Sequence, residues 1–503
     1  MYPEIFLTAA ICILLVYGAF SPKMSTIVRG GTSQKIVNNN LFFNVAWLGV
    51  FSLVITFFLL PPVDGNSATI FSHLLIVDDL TTLVKGIILL SSIATLFISM
   101  AYVKRDNINA FEFTLLLLLA VLGLLCLVSS NDLISLYLAI ELQSLCLYVI
   151  AAFKRDSEHS VEAGLKYFVL GALSSGLLLF GSALIYAYTG TTNFDQLHLL
   201  NLSSNLDQAV TTSFHTGFII GIVFLSFGLL FKLAAVPFHM WAPDVYEGSP
   251  TSVTAFFAIV PKVAILAVFA RLYFGVFYDV VFIHLESQGS ILFLNFCAIG
   301  SMVIGALGAL KQQKIKRLLA YSAIGHMGYM LIGISTGTLE GIEALFIYIM
   351  IYIVMTIGTF SVVVSLRKSK TIADLNGLNQ ANPLLAFSLA IILFSTAGIP
   401  PLAGFFSKLF LFFSAMSSSM YLLVIVGIVT SIIGCFYYLR LIKVAYFSQQ
   451  LSLSDTRYLF RSIFITKEVS ILLGIVLFWL ILFIFYPSPL FIVAHKLALA
   501  LCV

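Results

Sequence analysis

Apolar residues in this chain come in long runs, and polar residues cluster in the short gaps between them. The runs lie near residues 4–20, 41–60, 77–101, 110–128, 132–153, 161–188, 214–240, 251–278, 289–310, 317–334, 341–366, 383–414, 419–440 and 467–487. A helix that crosses a hydrocarbon core needs about 20 mostly apolar residues. In lipid, each backbone N–H and C=O must also find its partner inside the segment. The pattern therefore predicts an all-α polytopic membrane protein of about fourteen transmembrane helices, with no soluble domain between any two of them.

The charges in the connections test this count independently. When each connection is numbered by the run before it, the first carries Lys23, Arg29 and Lys35, and the third carries Lys104 and Arg105. The fifth carries Lys154 and Arg155, and the ninth Lys311, Lys314, Lys316 and Arg317. The eleventh carries Arg367, Lys368 and Lys370, and the thirteenth Arg440, Lys443, Arg457, Arg461 and Lys467. These are nineteen of the 26 lysines and arginines; the even connections carry none, and the seventh is the one odd connection without any. Lysine and arginine concentrate in loops on the cytoplasmic or matrix side. Odd connections are expected there, and both termini on the opposite side. A missed or invented helix would scramble the alternation beyond that point.

Composition agrees. Only 10% of the 503 residues are charged and 60% are hydrophobic, against about 25% charged in soluble domains. The net charge of +4 is no footprint for nucleic acid. These values exclude a soluble enzyme, a disordered chain and a nucleic-acid binder. The six cysteines, Cys12, Cys126, Cys146, Cys297, Cys435 and Cys502, are scattered without a C-x-x-C pair or a spacing that would hold zinc, haem or an iron–sulfur cluster. They read as small buried hydrophobes. The start, MYPEIFLTAA, lacks a basic n-region or an Arg-rich presequence, so the first run is expected to be a retained membrane helix.

The remaining basic residues are Lys85, Lys166, Lys232, Lys262, Arg271, Lys408 and Lys496. Lys496 lies in the tail. Lys85 and Arg271 sit nearer helix ends, where snorkelling to the headgroups would account for them. Lys166, Lys232, Lys262 and Lys408 lie inside apolar runs, and Glu141 joins them near the middle of the fifth. A charge at the bilayer centre costs roughly 2.5–3.5 kcal/mol on insertion scales. Structural ion pairs between helices would be one reason to keep such residues, and an ion or proton path the other. Burial disfavours an ammonium and a nearby carboxylate restores it. A buried lysine whose partner approaches and recedes can thus load and release a proton, and Glu141 is the candidate partner for Lys232.

Helix breakers accompany these charges. Pro237 follows Lys232, Pro261 directly precedes Lys262, and Pro400 and Pro401 precede Lys408 in STAGIPPLAGFFSKLF. Proline removes a backbone donor, and broken backbone at membrane depth is tolerated only where protein buries it or it lines a water-filled cavity. Pairs of interrupted helices at matching places in two halves point to a transport site. The expected organisation is a three-helix segment (1–109), a five-helix repeat (110–278), a second, inverted five-helix repeat (289–447), and a last helix with a tail (448–503). The inversion follows from the odd helix number in each repeat. His326 falls on the helix matching that of Glu141 and, like Lys166, is a candidate relay; no deep lysine matches Lys262 in the second repeat. His239, Asp244 and Glu247 lie in a Pro-rich segment that suits a rigid turn better than a metal site. No metal site is expected.

The stretches AIELQSLCLYVIAA, EAGLKYFVLGALSSGLLLFG, FKLAAVPFHMWAPDVYEGSPTSVTAF, KIKRLLAYSAIGHMGYMLIG and GIPPLAGFFSKLFLF resemble the antiporter-like membrane subunits of respiratory complex I, the NADH:ubiquinone oxidoreductase. The likeness extends from about the second run through the tail YPSPLFIVAHKLAL, in the form found in mitochondria of plants and algae. It implies fourteen transmembrane helices with two inverted five-helix units containing broken helices. It implies proton translocation by residues falling on Glu141, Lys232, Lys262 and Lys408. No cofactor is expected on this chain; NADH, FMN, iron–sulfur clusters and ubiquinone belong to the whole complex. The implied partners are other membrane subunits and membrane lipids, cardiolipin among them, with no nucleic acid. The implied location is the mitochondrial inner membrane, with basic loops facing the matrix and termini facing the intermembrane space. Two other readings share the same charges: a cation/proton antiporter subunit and a non-pumping structural subunit.

Overall fold

The computed structural model describes residues 2–20, 39–63, 65, 67–106, 110–204, 212–283, 288–366, 371–447 and 465–502. It begins with α1 (Tyr2–Phe20) and α2 (Asn39–Phe58), followed by an antiparallel hairpin of β1 (Ala68–Ile70) and β2 (Leu75–Val77) with Ala68 opposite Val77. Helices α3 (Asp79–Asp106), α4 (Glu112–Val128), α5 (Leu133–Ala151) and α6 (Glu158–Thr189) come next. A short α7 (Phe194–Ser204) leads to α8 (Thr212–Leu233), α9 (Trp241–Gly248) and α10 (Thr251–Ala270), which continues as a π-helical stretch, Arg271–Val276. The rest comprises α11 (Gln288–Leu310), α12 (Ile315–Ser335), α13 (Leu339–Ser365), a single turn α14 (Leu378–Ala381), α15 (Pro383–Ala397), α16 (Ala403–Ser417), α17 (Tyr421–Phe447), α18 (Lys467–Leu482) and α19 (Ser488–Cys502).

Ten of the described helices are long and apolar enough to cross a membrane alone. The other four expected runs correspond to α4, to α8 with α9, to α15 with α16, and to α18. Two boundaries move. The seventh run does not end near 240 but resumes as α9 to Gly248, and the twelfth is cut between Ala397 and Ala403. Hydropathy averages over a break that spans only a few residues, so the runs look continuous in sequence. Helices α7 and α19 were not anticipated, because neither is long enough to span. The tail helix α19 packs across α13 and α3.

Contacts sort the connections into two faces. On one, Lys154 pairs with Asp106 at 3.2 Å and Arg105 donates to the Val364 and Leu366 carbonyls. On that same face Lys314 bridges to Thr371 and Arg440 donates to Leu310 O. On the other face, Asn131 donates to Asp195, Asn201 to Val276 O and Ser417 to Glu340. Among the described residues these contacts join odd connections to odd ones and even connections to even ones. Lys23, Arg29, Lys35, Arg367, Lys368, Lys370, Arg457 and Arg461 lie outside the described residues.

Two expectations fail. Lys85 and Arg271 do not snorkel. Lys85 is buried and pairs at 2.5 Å with Glu4 in the first turn of α1. Arg271 is buried too, donating to Asp78 at 2.6 Å and to Val128 O at 2.9 Å. Each found a partner on a neighbouring helix or connection, which hydropathy along one helix cannot reveal. Helix α10 is buried along its whole length, packed against α3, α4, α8 and α13.

Candidate functional site

The first break follows α8. Ala234 takes a left-handed backbone (φ 63°), and Val236–Pro237 is cis. The freed backbone groups find partners: Val236 N donates to Ser301 Oγ at 3.0 Å, and Trp241 Nε1 donates to Phe231 O at 2.9 Å. This is how broken backbone survives at membrane depth. Lys232, in the last turn of α8, is buried beside the break. Its ammonium donates to the Tyr148 hydroxyl at 3.2 Å and stands 5.4 Å from the centre of that ring.

Glu141 does not pair with Lys232 directly. Ser144, one turn along α5, donates to Glu141 Oε2 at 3.4 Å, and Tyr148 lies a further turn on. Glu141, Ser144 and Tyr148 are spaced i, i+3 and i+7, which places them on one helical face. A hydroxyl pair therefore stands between the carboxylate and the ammonium. The spacing was the signal in the sequence that could have found Ser144 and Tyr148.

An aromatic row leads onward from Tyr148. Its ring meets Tyr167 edge-on at 4.7 Å, Tyr167 stacks on Trp241 at 4.8 Å, and Trp241 lies 6.2 Å from Tyr246. Lys262, 2% exposed, comes next, with Nζ 6.0 Å from the Tyr246 ring and 5.8 Å from the Tyr352 ring. Among the described residues, Lys262 Nζ and the Tyr246 and Tyr352 hydroxyls make no hydrogen bond. Pro261 does not break its helix, contrary to expectation: α10 runs on through it. Only one hydrogen bond is lost at a proline in a helix, and neighbours enclose α10 on every side.

His326 lies 5.4 Å, ring to ring, from Tyr352. Its Nδ1 is 2.7 Å from the Tyr348 hydroxyl and its Nε2 3.3 Å from that of Tyr438. His326, Tyr352, Thr396 and Tyr438 line a cavity of about 20 Å³, room for about one water. Beyond it, Lys408 Nζ donates to the Thr396 and Ala397 carbonyls at 3.2 and 2.9 Å, capping α15, and sits 5.5 Å from the Tyr329 ring. The second break holds Gly398 at φ 87° and a cis Pro400–Pro401 bond. Glycine is required at 404 as well, because a Cβ there would overlap the Ser395 carbonyl.

Lys232, Lys262, His326 and Lys408 are thus joined through rings and hydroxyls, and no carboxylate ion pair locks any of the three lysines among the described residues. A desolvated cation gains about 2 kcal/mol or more from a ring face, against several kcal/mol for desolvating the ion. Lys166 is not part of this row. Its side chain is 42% exposed and pairs with Glu162 at 2.7 Å and Asp244 at 2.9 Å. It lies about two turns from the start of α6, close enough to the end to reach that face. Asp244 and Glu247 likewise engage cations, while His239 stands apart from them in the break.

Residues 130–434, which contain every member of this row, match the family model described as NADH:quinone oxidoreductase/Mrp antiporter, TM. The chain belongs to this family. It is 48% identical to NADH-ubiquinone oxidoreductase chain 2 of Marchantia polymorpha, covering 100% of this chain and 98% of the relative. It is 46% identical to NADH-quinone oxidoreductase subunit N of Pelagibacter ubique, covering 90% of each. Among solved structures it is similar to a chain of respiratory complex I from Thermus thermophilus with bound aureothin, at 28% identity and TM-score 0.71, covering 94% of this chain and 97% of that one. The broken helices and Lys232, Lys262 and Lys408 of this antiporter-family chain thus lie within the matched segment.

Proposed function

We propose that this chain is a membrane-arm subunit of a mitochondrial, proton-translocating NADH:ubiquinone oxidoreductase, and that it moves protons along the row Glu141, Lys232, Lys262, His326 and Lys408. The observation that carries this reading is the row itself. Three buried lysines and one histidine succeed each other through aromatic rings and hydroxyls, and among the described residues no carboxylate holds any of these three lysines. Lysine suits such hopping because its three donors are not fixed in one plane. The Glu141–Ser144–Tyr148 face is where a change elsewhere in the complex alters the affinity of Lys232 for its proton. Protons then pass by way of Lys262 and His326 to Lys408.

Two five-helix units, 110–278 and 289–447, each contribute one broken helix to the row. The basic, odd-numbered connections face the matrix of the inner membrane and the termini face the intermembrane space. NADH, FMN, iron–sulfur clusters and ubiquinone are handled by other subunits. Neighbouring membrane subunits and lipids, including cardiolipin, cover the exposed apolar helix faces. The reading is tested by reconstituting the complex carrying Lys262→Met into liposomes. Protons moved per NADH oxidised should fall while the complex assembles in normal amount. Full pumping by the assembled variant would overturn it, and loss of assembly with normal pumping per complex would assign the lysine a structural role.

A further inference from the structure

Helix α9 has eight residues, too few to hold itself together; its neighbours α6 and α12 place it. Its inner side is buried and touches both first lysine pockets. Trp241 Nε1 is bonded to Phe231 O beside Lys232, and the Tyr246 ring is one of the two flanking Lys262. Its outer side presents Asp244 and Glu247, one turn apart. Glu247 is ion-paired with Lys314 and lies 3.5 Å from Arg317 Nη1, while Asp244 is 3.4 Å from Arg317 Nη2. Lys166 closes on Asp244 at 2.9 Å, and Lys316 Nζ donates to Ser249 O, just past the helix, at 2.7 Å.

We propose that Asp244 and Glu247 are positioning residues: they clamp α9 to the start of α12 and so hold Trp241 and Tyr246 at the two buried lysines. This rests on the proton-path reading above. The cations that close the clamp, Lys314, Lys316 and Arg317, belong to the other five-helix unit. Their helix, α12, also carries His326. The clamp therefore fixes the rings around Lys232 and Lys262 relative to the helix that receives from them. It also accounts for the exception in the charge pattern. The seventh connection lacks lysine and arginine because its carboxylates take theirs from the ninth. Single exposed ion pairs are weak, but here several act together on the outer side of one short element whose inner side is packed.

The test uses the whole complex in liposomes, with Glu247→Lys, Lys314→Glu, the two together, and Lys232→Met as reference. Each single reversal should lower protons moved per NADH by about two-fold or more, and the double reversal should restore most of that loss, as coupled neighbours do. Assembly is read in parallel on native gels. Where a reversal prevents assembly, Glu247→Gln and Asp244→Asn replace it with the same expected loss. Normal pumping per assembled complex in the single variants, or a double as impaired as the singles, overturns the clamp. If Lys232→Met itself pumps normally, the path reading fails and the clamp with it.

Discussion

The Lys232 ammonium donates to the Tyr148 hydroxyl at 3.2 Å and lies 5.4 Å from the centre of that ring. Tyr148→Phe keeps the ring and removes the acceptor. A hydrogen bond to a charged group is worth about 1.5–3 kcal/mol, so proton pumping should fall about ten-fold with assembly intact. Tyr148→Leu should do worse. NADH-driven proton uptake in liposomes decides it; an unimpaired Tyr148→Phe would show that the hydroxyl is dispensable.

Ser144 stands between Glu141 and Tyr148. Ser144→Ala should give part of the loss seen in Glu141→Gln, and the double variant should be no worse than Glu141→Gln alone. Additive losses in the same pumping assay would mean that the two act separately.

His326 satisfies two buried hydroxyls. His326→Leu should destabilise the complex by about 1–3 kcal/mol for the Tyr348 hydroxyl left stranded, lowering its melting temperature, and Tyr348→Phe in that background should recover part of it. Unchanged melting would show that the Tyr348 hydroxyl finds another partner.

The Glu4–Lys85 pair is a buried ion pair, so removing one partner leaves the other charged in an apolar setting. Lys85→Met should cost about 3–5 kcal/mol, and Glu4→Gln with Lys85→Met should cost far less. The amount of assembled complex on native gels measures both. Equal losses from the single and double changes would contradict the pairing.

Gly404→Ala places a methyl group against the Ser395 carbonyl. It should displace α16 from α15 and reduce assembly sharply, whereas alanine at Gly176, where a Cβ meets nothing within 4 Å, should be silent. Normal assembly with Gly404→Ala would refute the close approach.

The fourteen runs were legible in the sequence because each must be long and apolar enough to cross the hydrocarbon core, and the lysines stood out because a charge at that depth is expensive. Partners were not legible. Tyr148 lies 84 residues from Lys232 and Lys85 lies 81 from Glu4, and helical packing alone brings such pairs together. Lys166 sat inside an apolar run yet reaches the surface, because hydropathy ignores where a helix ends. Pro261 carried a local breaking signal and still lies in an unbroken helix, because enclosure by neighbours outweighs one missing hydrogen bond.

That enclosure sets the terms for Lys262. Every residue of α10 is covered by other parts of this same chain. Lys262 is therefore insulated from the bilayer and from any neighbouring subunit. Nothing outside the chain can address it directly, so any influence from the rest of an assembly must arrive through the helices that wrap α10.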